Sequence, residues 1–178
     1  MIKKTAMLLI GALLTVSVLT SGCTLNVGNT TTSPTSTTYS STKGFSINYP
    51  SDWGNPQVNS EFVGFATPTK NESENLNVQV MNLSASDTLE TITDDVISNA
   101  QDYNNFNEIS AHNATLAGLP AYKIVFTATT NNGDQLEALQ IWTVKDDKAY
   151  IITYKGAPAN YDTYLSTAQK MIDSFQIN

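Results

Sequence analysis

Two residues of the 178-residue chain have a chemistry that no other residue duplicates: Cys23, the only cysteine, and His112, the only histidine. Cys23 follows a positive flank at Lys3-Lys4, an apolar run from Ala6 to Leu19 and the small-residue stretch Thr20-Ser21-Gly22. Positive flank, short apolar core and small residues before a cleavage point are the layout of an export signal. A cysteine directly after Gly22 is where a lipoprotein signal places the residue that is lipidated and becomes the mature N-terminus. One position departs from that pattern: Thr20 stands where leucine is usual, with Leu19 one place earlier. The rival readings are a plain cleaved signal with an incidental cysteine, and a short transmembrane anchor. The apolar run is shorter than the roughly 20 residues needed to cross a hydrocarbon core of about 30 Å. One acyl chain anchors only weakly, so a lipidated Cys23 needs two or more chains.

The rest of the chain carries little that could catalyse. His112 is the one side chain suited to general-base work near neutral pH, and Ser110 is the nearest hydroxyl it could serve. No Gly-x-Ser-x-Gly element accompanies it, so a solvated or hydrogen-bonded strand histidine is the expectation. Asp94-Asp95, Asp146-Asp147, and Glu72 with Glu74 place carboxylates close together, yet none has the oxygen-rich spacing of a calcium loop. Neither a Gly-rich phosphate loop nor a dinucleotide fingerprint occurs. Trp142 is expected in the core, and Trp53 as a partly exposed cap over it. The residues therefore assign no catalytic site, no metal site and no cofactor.

Composition narrows the partners. With no arginine, the forks that read phosphates and base edges are missing. Loss of residues 1–22 leaves 7 Lys against 16 acidic residues, a formal −9. Such a charge opposes nucleic-acid binding and opposes docking of the domain itself on an anionic bilayer. The lipid, rather than the folded part, should hold the protein at the membrane, which places it outside the cytoplasm on a prokaryotic cell surface.

Three segments follow: a signal over 1–22, a tether over 23–42 and one globular domain over 43–178. From Thr30 to Thr42 every residue is Ser or Thr except Pro34 and Tyr39, too polar to offset the entropy of ordering. Treated as flexible coil, the tether spans on the order of 25 Å. Sequons for N-glycosylation stand at Asn29, Asn71, Asn82 and Asn113, with Asn29 and Asn71 expected in loops.

Within the domain, the apolar pattern predicts strands over 44–49, 62–66, 76–83, 136–144 and 149–154, a further strand with Tyr122, Ile124 and Phe126 on one face, and an extended stretch over 106–115. Asp87 and Glu90 form a capping-box pattern that opens a helix over 88–103, and a second helix runs over about 160–174. Asn131-Asn132-Gly133-Asp134 predicts a type I′ hairpin turn. Trp142 and Val144 oppose Leu139 and Ile141, while Tyr150 and Ile152 oppose Ala149 and Ile151. A sheet apolar on both faces must be covered on both. The expected fold is α+β: an antiparallel, meandering sheet of about six or seven strands covered by two main helices.

The opening Gly44-Phe45-Ser46-Ile47-Asn48-Tyr49-Pro50-Ser51-Asp52-Trp53 resembles that of the PsbP-like family. So do Gly118-Leu119-Pro120-Ala121-Tyr122 and the closing helix Tyr161 to Phe175. The resemblance implies an α/β/α sandwich and a non-catalytic accessory module that binds or scaffolds a membrane-associated protein partner. It also leaves open a small-ligand-binding lipoprotein and, less directly, an extrinsic subunit of photosystem II.

Overall fold

Strands dominate because β-branched and aromatic residues alternate with polar ones over most of the domain. The computed structural model describes residues 35–69 and 74–178. In chain order these form β1 (Ser36–Ser41), β2 (Phe45–Pro50), a 3₁₀ turn (Ser51–Trp53), β3 (Gln57–Val58), β4 (Phe62–Ala66) and β5 (Asn75–Asn82). Then come α1 (Leu89–Gln101), β6 (Asn104–Leu116), β7 (Leu119–Thr129), β8 (Gln135–Lys145), β9 (Lys148–Gly156), α2 (Tyr161–Asp173) and β10 (Gln176–Ile177).

Seven strands make one antiparallel sheet in the order β3-β4-β5-β9-β8-β7-β6. The expected meander is interrupted once. After β5 the chain crosses through α1 to the far edge and returns through β6, β7, β8 and β9 to pair with β5. The first expected strand is not in this sheet at all. β2 lies between β1 and β10 in a separate three-stranded sheet, so segments from the two ends of the domain share one ladder.

The two faces are covered differently. Ile92, Val96 and Ala100 of α1 meet Ile124, Phe126, Trp142 and Ile151 on one face. On the other, Ala168, Met171 and Ile172 of α2, with Phe45 and Ile47 of β2, meet Val78, Ile141, Ile152 and Tyr154. Each large side chain so buried contributes about 1.5–3 kcal/mol. Trp142 also donates its indole N–H to Thr93 Oγ1 at 3.0 Å, which fixes α1 against the sheet.

Three local expectations need correction. The tether was expected to be disordered through Thr42, yet Ser36–Ser41 pairs with β2 in full register from Ser36↔Pro50 to Ser41↔Phe45. One aromatic suffices: the Tyr39 ring lies 6.1 Å from Phe45 and 6.0 Å from Phe65, and its neighbours are residues that sheets accept. The helix cap is Thr88, not Asp87. Thr88 and Thr91 bond reciprocally, while Asp87 accepts from the Ser84 N–H in the preceding turn. Finally, the β7–β8 connection spans Thr130–Asp134, with Gly133 donating to the Thr130 carbonyl and itself at φ 89°. A type I′ turn needs two such residues, and Asn132 is not one. The pair that has both is Ala117-Gly118, at φ 51° and 77°, closing β6 onto β7.

Two substitutions test these assignments. Tyr39→Ala should cost about 2 kcal/mol in urea unfolding, whereas a disordered residue would cost nothing measurable. Ala117→Asn should gain about 0.5–1 kcal/mol with an unchanged m-value, because asparagine tolerates the left-handed conformation that penalises alanine.

Candidate ligand cleft

The residues singled out by chemical type do not converge. Cys23, Asn29, Asn71 and Glu72 lie outside the described residues. Asn82, at the end of β5, and Asn113, on β6, are exposed within strands. His112 is exposed on the outermost strand, opposite Lys123, and no hydrogen bond joins it to Ser110 among the described residues. Asp94-Asp95 are exposed on α1 and Asp146-Asp147 in the β8–β9 turn. Among the described residues no group of three or more His, Cys, Asp or Glu could hold a metal ion. Trp142 is fully buried, as its alternation in a strand implies. Trp53 is only 3% exposed rather than a partly open cap, its ring edge-on to Tyr164 at 6.0 Å.

Glu74 is also displaced from its expected solvated loop. At 2% exposure it begins the climb into β5, and Oε2 accepts from the Thr69 hydroxyl at 3.2 Å. Beside it, Tyr154 donates its hydroxyl to the Tyr161 carbonyl at 2.7 Å. Burial first, then the Glu74 carboxylate, pushes the Tyr154 phenol up to about 12. The Tyr161 phenol is raised as well, by burial and then by Glu137. Glu137 is raised by burial and by Asp162. On the opposite face of the sheet Gln140, fully buried, donates to Thr153 Oγ1 at 3.1 Å. Lys155 lies further along that face, and burial lowers its ammonium from 10.5 to about 8. The shifts at these groups act on stability, and none of them lines the cleft formed by the β6–β7 hairpin and α2.

That cleft lies between the β6–β7 hairpin and the C-terminal half of α2, with a volume of about 320 Å³. That volume falls at the lower end of the range for small-molecule sites, about 300–1,000 Å³. The register Leu116↔Leu119 and Lys123↔Ile141 sets one wall. Gln169, Ile172 and Asp173, at helical spacing i, i+3 and i+4, set the other. Leu116, Ile141 and Ile172 form an apolar floor below a polar rim. On that rim Gln169 Nε2 donates to Asp173 Oδ1 at 2.8 Å. Lys123 forms no ion pair or hydrogen bond among the described residues. Sequence reasoning missed this site because Lys123 reads as the polar beat of a strand and Asp173 as a helix terminus. Only the register and the packing of α2 place them on facing walls.

Comparison with known proteins then gives the fold a context. A family model described as PsbP-like protein matches residues 24–177. None of the curated proteins matches the sequence. Cyanobacterial PsbP (CyanoP) from Synechocystis sp. PCC 6803 superposes with a TM-score of 0.62 at 20% identity, over 86% of this chain and 99% of that one. LpqN of Mycobacterium tuberculosis, described as involved in cell envelope biogenesis, gives 0.56 at 12% identity, over 81% and 91%. A Pseudomonas aeruginosa protein of unknown function gives 0.51 at 14% identity, over 76% and 94%. At these identities the likeness is one of fold.

The titrating groups make an alkaline stability profile of definite shape. Between pH 8 and 10.5 the unfolded chain keeps the Lys155 proton that the folded chain has lost, so stability rises with pH. Above about pH 10 the unfolded chain loses the Tyr154 proton that the folded chain keeps until about 12, so stability falls. Urea midpoints should therefore peak at about pH 10. Lys155→Met should raise the neutral midpoint, by on the order of 1 kcal/mol, and abolish the rise. A flat profile in the unsubstituted protein would refute the assignment.

Proposed function

The chain belongs to the PsbP-like family, and from that premise we propose that it is a lipid-anchored, extracytoplasmic module that binds or scaffolds a membrane-associated protein partner without catalysis of its own. The observation that carries this reading is the sequence Gly22-Cys23 at the end of an apolar run, with the family match starting at residue 24. On this reading export, acylation and folding belong to consecutive segments. The charge balance supports the same division of labour, because an acidic domain gains nothing from anionic lipid and must be held by an anchor. Among the described residues no helix is long and apolar enough to cross a membrane. A non-catalytic role draws on His112, which lies exposed on β6 with no hydroxyl bonded to it among the described residues.

The cleft at α2 favours a second reading, a lipoprotein that binds a small ligand. Its volume and mixed lining suit that use, and it does not conflict with an anchor. A role as an extrinsic subunit of photosystem II has only the shared fold behind it.

Fractionation tests the anchor. The unsubstituted protein should sediment with membranes and incorporate radiolabelled lipid precursor. Cys23→Ala should abolish incorporation and move most of the protein to the soluble fraction. Retention of Cys23→Ala in washed membranes would exclude the lipid anchor. Chemical cross-linking of the native protein in its own membranes should yield adducts with a membrane protein; a chain that cross-links to nothing would remove the scaffold role.

A further inference from the structure

We infer that the cleft between the β6–β7 hairpin and α2 binds a zwitterionic small molecule of the free amino-acid class; this rests on the ligand-binding reading above. The argument starts from two opposite charges that line one cleft and do not meet. Lys123 is half-buried on the sheet wall, and Asp173 ends α2 on the facing wall. No ion pair joins them among the described residues, and only Gln169 bonds the Asp173 carboxylate. Opposite charges held apart across a cavity complement a ligand whose own charges are held apart in the reverse order. A carboxylate would meet the Lys123 ammonium. An α-ammonium would meet Asp173, where the partial negative charge at the helix C-terminus adds to the attraction.

The floor adds little to recognition. Leu116, Ile141 and Ile172 are 2%, 4% and 3% exposed, so discrimination falls to the two charges on the walls. No aromatic ring is among the described lining residues, so a sugar or a nucleobase would lack the stacking face such ligands use. The volume of about 320 Å³ accommodates a ligand of amino-acid to dipeptide size.

Isothermal titration calorimetry on the full chain in detergent tests the inference, with L-leucine, leucinamide, N-acetyl-leucine and glucose as probes. Leucine should bind, and leucinamide and N-acetyl-leucine should each bind more weakly by about tenfold, as expected for loss of one charge-assisted contact. Lys123→Gln should bring leucine down to the level of leucinamide, and Lys123→Arg should restore it. Asp173→Asn should bring leucine down to the level of N-acetyl-leucine. Melting curves unchanged from the unsubstituted protein show that the variants are folded. Equal binding of leucine and its two capped forms, or glucose binding without leucine binding, overturns the zwitterion and leaves a ligand cleft. No binding of any probe by folded protein overturns both.

Discussion

β8 and β9 pair through nine residues and have no polar side to turn toward water. Leu139, Ile141, Tyr150, Ile152 and Tyr154 point one way, while Ala138, Trp142, Ala149 and Ile151 point the other. Two strands with this pattern cannot sit at an edge or leave a face open, because either choice would expose several hundred square ångströms of apolar surface. Everything else in the domain answers that demand. β5 and β7 flank the pair, α1 closes one face, and α2 with the small sheet closes the other. The interruption of the meander follows as well: α1 can cover its face only by carrying the chain across it, which puts β6 at the far edge.

Wherever one period ran long enough, the sequence was a sufficient guide to the element. The strands from Leu119 to Gly156 and the helix at Tyr161–Asp173 needed only alternation or a 3.6-residue repeat to be read. What escaped was set by contacts distant in sequence. β1 looks like a polar linker because five of its six residues are Ser or Thr, and nothing local shows that Tyr39 has Phe45 and Phe65 to rest on. Glu74 has the composition of a loop residue and is buried only because the hairpin brings it beside Tyr154. Adjacent capping residues, Asp87 and Thr88, each fit the start of α1. The choice fell to the one with a hydroxyl partner three residues on. The cleft was the least legible feature, since its charged residues are fifty positions apart and carry no motif.

The domain is sparing with reactive chemistry and generous with packing. Its most strongly shifted titratable groups, Lys155, Tyr154 and Tyr161, are perturbed mainly by burial. Perturbation of that kind is as common in structural networks as in active sites. The two proposed roles, presenting a surface to a partner and holding a small molecule, differ in which surface is used.

The small sheet has a mechanical meaning for an anchored protein. Among the described residues β1 pairs with β2 alone, and its Ser36↔Pro50 end is the open end of that hairpin. Tension arriving from the N-terminal side would therefore act on one ladder pair at a time rather than on the whole ladder together. Yielding would stop at Tyr39, whose ring is lodged against Phe45 and Phe65, and the first few residues released would lengthen the tether by about 10 Å. β2 would stay in place through β10, and the seven-stranded sheet would feel nothing. With the proposed anchor in place, the segment would act as a slip-lead with a catch between the N-terminal side and the walls of the cleft.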